Sequence, residues 1–267
     1  MCGICGVVSV DHQAPFEVLL ALNEMRNRGE ASWGGFFERP NRDGKDHRFL
    51  RKVGYVRDRC FNRPVWEEFI EHRLSDSPLE LIAEGLLDIC RGRYGVRRMK
   101  GSVGRAFGNY RGNVISRMPG KVASGHVRYR TRSTNERRNW MPIQDTQFGT
   151  GISISLNGDN PNYGTDRERL ERKGFRFRTE NDAELILSFF SKRYSMLSDL
   201  QPFQRVKQAV RETDEEIQAA FSYVLQIPGE GLVFHRDPKG IRPLWVGSKR
   251  NEQGIGVVRA LEGVIGV

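Results

Sequence analysis

The chain has 267 residues, with 43 Lys and Arg against 33 Asp and Glu, a formal charge of +10. That length suits one large domain or two small ones, and apolar runs such as 79–87 and 152–156 recur too evenly for a disordered chain. No apolar stretch of about 18 residues is present to cross a membrane as a helix, and residues 1–8 lack the basic region and long apolar core of a secretion signal, so a cytoplasmic location is expected.

Residues 3–10, small and β-branched, predict a strand. Residues 15–25 show helical apolar spacing (Phe16, Leu19, Leu20, Leu22, Met25) and end at an Asn27-Arg28-Gly29 turn. Residues 36–57 are polar, with Pro40-Asn41 and Asp43-Gly44 turn signals, and predict loop with short strands. Two helices are expected at 66–72 and 77–90, the second opening on Ser77-Pro78. From about residue 94 the period shifts towards alternation. Val122, Ser124, His126, Arg128 and Arg130 share one face of a strand, and Ala123, Gly125, Val127 and Tyr129 the other.

Residues 152–156 alternate and predict a strand that stops at the turn signal Asn157-Gly158-Asp159. Thr165 and Glu168 have the spacing of a capping box, and the helix they open should stop at Gly174. A short strand at 175–179, a helix over about 182–190 and a longer helix over 203–226 follow. Two strands, at 232–235 and 244–246, flank the turn Asp237-Pro238-Lys239-Gly240. No internal repeat or low-complexity linker is present, and the order suggests mixed α and β structure in one domain.

Four cysteines are too few for a disulfide framework in a chain of this length. Cys2 and Cys5 form a C-x-x-C with no second ligand pair, and a redox pair belongs at a helix start after a strand, so neither a metal site nor a redox cofactor is expected. Arginines cluster over 91–98, 128–138 and 167–178. Such clusters can neutralise phosphates, but the alternating signs from Asp166 to Arg172 suit a solvated helix face laced with ion pairs. No nucleic-acid module accompanies them, and no nucleic-acid or membrane partner is expected.

Chemistry points to Cys2, which becomes the first residue once an aminopeptidase removes Met1. A terminal cysteine carries nucleophile and base together. Its α-amine (pKa about 7.7–8.0) can take the proton of its thiol (about 8.5), directly or through water. Gly3 leaves room for a substrate. Met-Cys-Gly alone is weak evidence, but it stands in an ordered series. Met1-Cys2-Gly3-Ile4-x-Gly6 is followed by Met25-Arg26-Asn27-Arg28-Gly29 and by Gly125-His126-Val127-Arg128-Tyr129-Arg130-Thr131. Leu156-Asn157-Gly158-Asp159, then Gly174-Phe175-x-Phe177 leading to Asn181-Asp182-Ala183-Glu184, and finally Asp237-Pro238-Lys239-Gly240-Ile241-Arg242-Pro243-Leu244 complete it.

In these segments the sequence resembles the class II glutamine amidotransferases, whose glutaminase domains use an N-terminal cysteine. The resemblance implies the N-terminal-nucleophile hydrolase fold, an α+β, four-layer αββα sandwich of two mainly antiparallel sheets. It implies a glutaminase domain over 1–267, with an insertion at about 38–120. It also implies that Cys2 attacks the glutamine amide and forms a thioester that water hydrolyses, with no cofactor. Free glutamine carries a carboxylate, an α-ammonium and an amide, so its site needs a cation, an anion and an oxyanion hole. By resemblance Arg128 binds the carboxylate, with Thr131 adding a hydroxyl, and Asp182 holds the ammonium. The Asn157 side chain and the Gly158 backbone N–H form the oxyanion hole, and Arg28 and Gly29 shape the wall near the nucleophile. Read without the resemblance, Arg128 is a surface arginine, Asn157-Gly158 a plain turn and Asp182 a helix-start aspartate.

The family depart from this chain at Cys5, usually apolar, and at Val127, usually Thr; after Gly247 the match is loose. No Rossmann-type Gly-x-Gly-x-x-Gly, phosphoribosyl-binding acidic loop or ATP-binding loop follows the glutaminase segments. A glutaminase subunit delivering ammonia to a partner synthase is therefore expected. The segment from Asn157 to Gly164 resembles the separate glutaminase subunit of glutamate synthases, the favoured type. The 237–244 segment resembles amidophosphoribosyltransferase, the alternative. A non-catalytic glutamine-binding regulatory module is a further alternative.

Overall fold

The computed structural model describes residues 2–9, 32–40, 47–54, 121–129, 136–250 and 256–261, with single positions at 14, 17, 18, 21, 22, 25, 28 and 134. The larger sheet contains β1 (Gly3–Ser9), β2 (Ser32–Pro40), β3 (His47–Gly54) and β4 (Val122–Arg128). The smaller contains β5 (Ile143–Gln144), β6 (Ser153–Asp159), β7 (Ala220–Ile227) and β8 (Gly231–Arg236). Strands β9 (Trp245–Arg250) and β10 (Gly256–Leu261) return the chain to the larger sheet. The strand orders are β3-β2-β4-β1-β10-β9 and β5-β6-β7-β8. Every pairing is antiparallel.

The sheets lie face to face, with β1 and β4 over β6 and β7. Gly6 permits this approach, since a Cβ there would stand 2.8 Å from Phe234, 2.9 Å from Leu232 and 2.9 Å from Val224. A buried hydrogen bond crosses the gap, the Ser124 hydroxyl donating to Gln226 Oε1 at 3.0 Å. On the outer face of β4 a Cβ at Gly125 would stand 2.7 Å from Val18. Among the helical positions there, Ala14, Val18, Ala21 and Leu22 are buried. Leu22 and Met25, on the expected apolar face, are buried, and Phe16, Leu19 and Leu20 lie outside the described residues.

Among the described residues three helices cover the smaller sheet: α1 (Tyr163–Arg172), α2 (Ala183–Met196) and α3 (Pro202–Glu216). Their apolar sides join Ile154, Leu156, Phe221, Tyr223 and Leu225 in one core. The two-sheet sandwich with helices outside it is the expected α+β architecture. Among the described residues no helix is long and apolar enough to cross a membrane.

Several local expectations are corrected. Within 36–57 the strands are longer than expected, for β2 and β3 pair from Trp33–Gly54 to Pro40–His47 and extend the sheet into the expected insertion; 41–46 and 55–57 lie outside the described residues. Asn157-Gly158-Asp159 is not a turn, because pairing with β7 continues through Gly158–Phe221 and Asp159–Ala220. The Thr165/Glu168 capping box does not form. Helix α1 starts two residues earlier, where Asn160 Oδ1 accepts the Asn162 N–H at 2.9 Å.

Residues 175–179 form no strand. The N–H of Arg178 and of Thr179 go to the Glu184 carboxylate instead of a neighbouring strand, and that of Arg176 goes to Gln147 Oε1. The helix expected over 203–226 stops at Glu216, after Asp214-Glu215-Glu216 place three negative charges at the unfavourable helix end. Beyond it Phe221, Tyr223 and Leu225 alternate with Ser222, Val224 and Gln226 as β7. Helix α2 runs six residues past the expected end near Phe190, to Met196. Gly174, at φ +86°, ends α1 as expected. The helices expected at 66–72 and 77–90 lie outside the described residues.

Candidate active site

The register of β1 and β4 pairs Gly3 with Val127, which brings Cys2, one residue earlier, opposite Arg128. The Cys2 thiol donates to the Tyr129 carbonyl at 3.6 Å. Burial pushes that thiol above its ordinary value, while the Tyr129 hydrogen bond and the positive amino terminus pull it down; Asp182 adds to the rise and Arg128 opposes it. Cys2, Arg128 and Asp182 therefore share one electrostatic neighbourhood, although 54 residues separate the last two.

Arg128 is 2% exposed and its Nη1 donates to the Thr134 carbonyl at 3.2 Å. Strand alternation puts Ser124, His126 and Arg128 on the face towards the second sheet, since Gly125 faces Val18. Burial above all, with the Arg128 charge adding to it, pushes the His126 imidazole down to about 3. A neutral imidazole of so low a basicity is unsuited to general-base work near pH 7.

Asn157, 3% exposed, lies near the end of β6. Leu156 faces the helices within the core, so alternation turns Asn157 towards the larger sheet. Gly158 is there for close approach: a Cβ would stand 2.6 Å from the Ala220 carbonyl oxygen and 2.8 Å from Phe221 Cα. Its backbone is thus clamped against β7, which suits a donor that has to be in place before charge develops.

Asp182 immediately precedes α2 yet makes no side-chain cap to it. Its Oδ2 accepts the Asn160 N–H at 3.1 Å. Capping falls to Asn181, whose Oδ1 accepts the Ala183 N–H at 3.0 Å, while Glu184 within the helix accepts the Thr179 N–H of the preceding segment at 2.7 Å. Burial foremost, with the charge of Asp159 adding, pushes the Asp182 carboxyl up to about 6, against the Asn160 hydrogen bond.

The structure thus brings Cys2, Arg128 and Asp182 together and puts Asn157 on the face turned towards them. Arg28 is half-buried, its N–H donating to the Met25 carbonyl at 2.9 Å. Thr131 and Gly29 lie outside the described residues. The Asp237-to-Leu244 motif builds a loop: Asp237 accepts the N–H of Lys239, Ile241 and Arg242, and Gly240 turns at φ +64°. Cys5 is fully buried, and burial pushes its thiol up. Among the described residues no group of three His, Cys, Asp or Glu could hold a metal ion.

Among known proteins, the family described as a glutamine amidotransferase domain matches residues 127–258, from the Arg128 strand to β10. Amidophosphoribosyltransferase of Pasteurella multocida is 30% identical over 208 residues, which is 76% of this chain and 39% of that protein. Residues 127–258 thus form a glutamine amidotransferase domain.

Other relatives of this amidotransferase chain include amidophosphoribosyltransferase 1 of Arabidopsis thaliana, 35% identical over 51% of the chain and 23% of that protein. The enzyme of Pyrococcus horikoshii is 33% identical over 57% and 32%. In structure the chain is similar to the glutamine phosphoribosylpyrophosphate amidotransferase of B. subtilis, at TM-score 0.60 and 18% identity, over 97% of this chain and 41% of that one. That likeness shows the fold. The chain spans about two fifths of the Pasteurella relative. These relatives favour the amidophosphoribosyltransferase-like alternative over the glutamate synthase type first expected.

Proposed function

We propose that this chain is a glutaminase that hydrolyses L-glutamine to L-glutamate and ammonia at Cys2, and passes the ammonia to a synthase domain or partner of the amidophosphoribosyltransferase type. The observation that carries the reading is the meeting of Cys2 with a buried cation, Arg128, and a half-buried anion, Asp182. A thiol beside one fixed positive and one fixed negative group suits an amino acid whose side chain is the reacting part. The domain spans 1–267 in this reading, with an insertion at about 38–120 whose first strands extend the larger sheet.

With Met1 removed, the Cys2 amine takes the thiol proton and sulfur attacks the amide carbon of glutamine. This step needs the amine because burial disfavours a spontaneous thiolate. The carbonyl electron pair moves onto oxygen, where the Asn157 amide and the Gly158 N–H stabilise it. Collapse returns that pair, breaks the C–N bond and expels ammonia with the proton held by the amine. Water, deprotonated by the same amine, attacks the thioester and releases glutamate, restoring the thiol. Arg128 and Thr131 hold the α-carboxylate and Asp182 the α-ammonium throughout, with Arg28 and Gly29 along the wall.

The test is glutaminase turnover by protein whose intact mass shows Met1 removed, beside Cys2→Ala. The variant should fold, release no ammonia and resist labelling by an electrophilic glutamine analogue. Undiminished turnover in Cys2→Ala overturns the mechanism, and glutamine binding without turnover in the processed protein favours the regulatory module.

A further inference from the structure

Arg128 and Asp182 stand on different sheets' elements, yet one buried side chain ties their surroundings together. Asn139, in a single 3-10 turn over Arg137–Asn139, is fully buried. Its Nδ2 donates to the Thr134 carbonyl at 3.1 Å and to Thr134 Oγ1 at 2.9 Å. The same Thr134 carbonyl accepts from Arg128 Nη1, so Asn139 and the Arg128 guanidinium hang on one oxygen. On its other side, Asn139 Oδ1 accepts the Glu180 N–H at 2.8 Å, and its carbonyl accepts Asn181 Nδ2 at 2.9 Å. Asn181 is the residue that caps α2, one position before Asp182. Glu180 closes the loop from the solvent side, accepting from Thr134 Oγ1 at 3.2 Å and from Arg138 Nη2 at 3.2 Å.

We propose that Asn139 is a positioning residue that sets the distance between Arg128 and Asp182, and so fixes the two-point grip on glutamine. The proposal rests on the glutaminase reading. An amide suits this post because its NH2 donates twice to one segment while its oxygen accepts from the other; a carboxylate only accepts, and a hydroxyl has a single proton to donate. Asn139 and Asn181 are buried, so each bond they lose leaves a partner unsatisfied out of water, and the network holds as a unit. The exposed Thr134–Glu180 bond contributes less. A ligand held by both its charges feels the spacing of the two grips, whereas Cys2, fixed by β1, does not.

The experiment uses the processed full-length chain. Asn139→Asp keeps the acceptor for Glu180 and removes the donors to Thr134; Asn139→Ala removes both; Glu180→Ala removes the exposed bonds to Thr134 and Arg138 and the 3.5 Å contact from Asn139 Nδ2, leaves the Asn139 donors to Thr134 in place, and guards against loss of folding. Glutamine KM should rise about 10- to 100-fold in the two Asn139 variants and about threefold in Glu180→Ala, with kcat within about threefold of wild type. The preference for glutamine over glutaramate, which lacks the α-amine, should fall about tenfold, because the ammonium no longer meets Asp182 at the right distance. Alkylation of Cys2 by iodoacetamide, which uses neither grip, should keep its wild-type rate. A merely structural Asn139 would lower the active fraction, and hence kcat, and leave KM and the preference alone; that result overturns the proposal and spares the function. Wild-type protein that turns over no glutamine overturns the reading of function and this proposal with it.

Discussion

Asp182→Asn separates a ligand aspartate from a helix-start aspartate, and the two forecasts differ in sign. The folded protein pushes this carboxyl from 3.8 up to about 6, chiefly through burial, so an ionised Asp182 is a stability cost. Below pH 3.8 the group is neutral in the folded and unfolded chain alike, and the cost is absent. As pH rises from 3.8 to about 6 the unfolded chain gives up the proton while the folded one keeps it, and stability falls. Above that window the full difference stands, at most about 3 kcal/mol, since water still reaches part of the side chain. Asparagine keeps an oxygen for the Asn160 N–H and carries no charge to bury. The variant should therefore melt higher than wild type at pH 8, by up to about 6–12 °C, and the gain should vanish near pH 3.5. Glutamine should bind far worse, because an ammonium left without its anion in a partly enclosed site costs about 2–5 kcal/mol, some 30- to several-thousand-fold in kcat/KM. Melting curves and glutaminase kinetics at both pH values test this. A lower melting temperature at pH 8 with wild-type kcat/KM would refute it and return Asp182 to the helix.

Arg128→Lys should lose nearly as much kcat/KM for glutamine as Arg128→Ala, because a point charge does not reproduce the planar two-donor fork; a lysine variant within about threefold of wild type would count against carboxylate binding at this position. Gly158→Ala forces a Cβ to 2.6 Å from the Ala220 oxygen. It should lower stability by about 1–3 kcal/mol in urea melts and kcat by about 100- to 1,000-fold, and a stable variant of normal kcat would show that β6 can shift here without loss of the oxyanion donor.

The segments rich in alternation were legible from the chain itself. Residues 122–128 and 153–156 read as strands because their side chains alternate with the pleat, and residues 3–9 because they are small and β-branched. Reading failed where a tertiary partner outvotes local chemistry. Asn157-Gly158 carries the strongest local turn signal, but β7 alongside keeps it extended, and its glycine serves close packing. Phe175 and Phe177 alternate like a strand, yet the backbone between them and α2 is spoken for by Glu184 and Gln147. The proposed nucleophile and the two proposed charged grips were traceable through motifs. Asn139 was not: nothing in the run of arginines before it announces a buried amide, and its partners lie 5 and 41–42 residues away.

The position of β1 between β4 and β10 has a consequence for biosynthesis. One flank of this strand pairs with residues 122–127, the other with residues 257–261. A ribosome emits the chain from its amino end at about 5–20 residues per second, so the second flank emerges on the order of tens of seconds after Cys2. Over that interval the strand that follows Cys2 has one edge unpaired. Arrival of β10 closes that edge from Cys5 to Ser9, so the last strand of the larger sheet to be made completes the frame of the first.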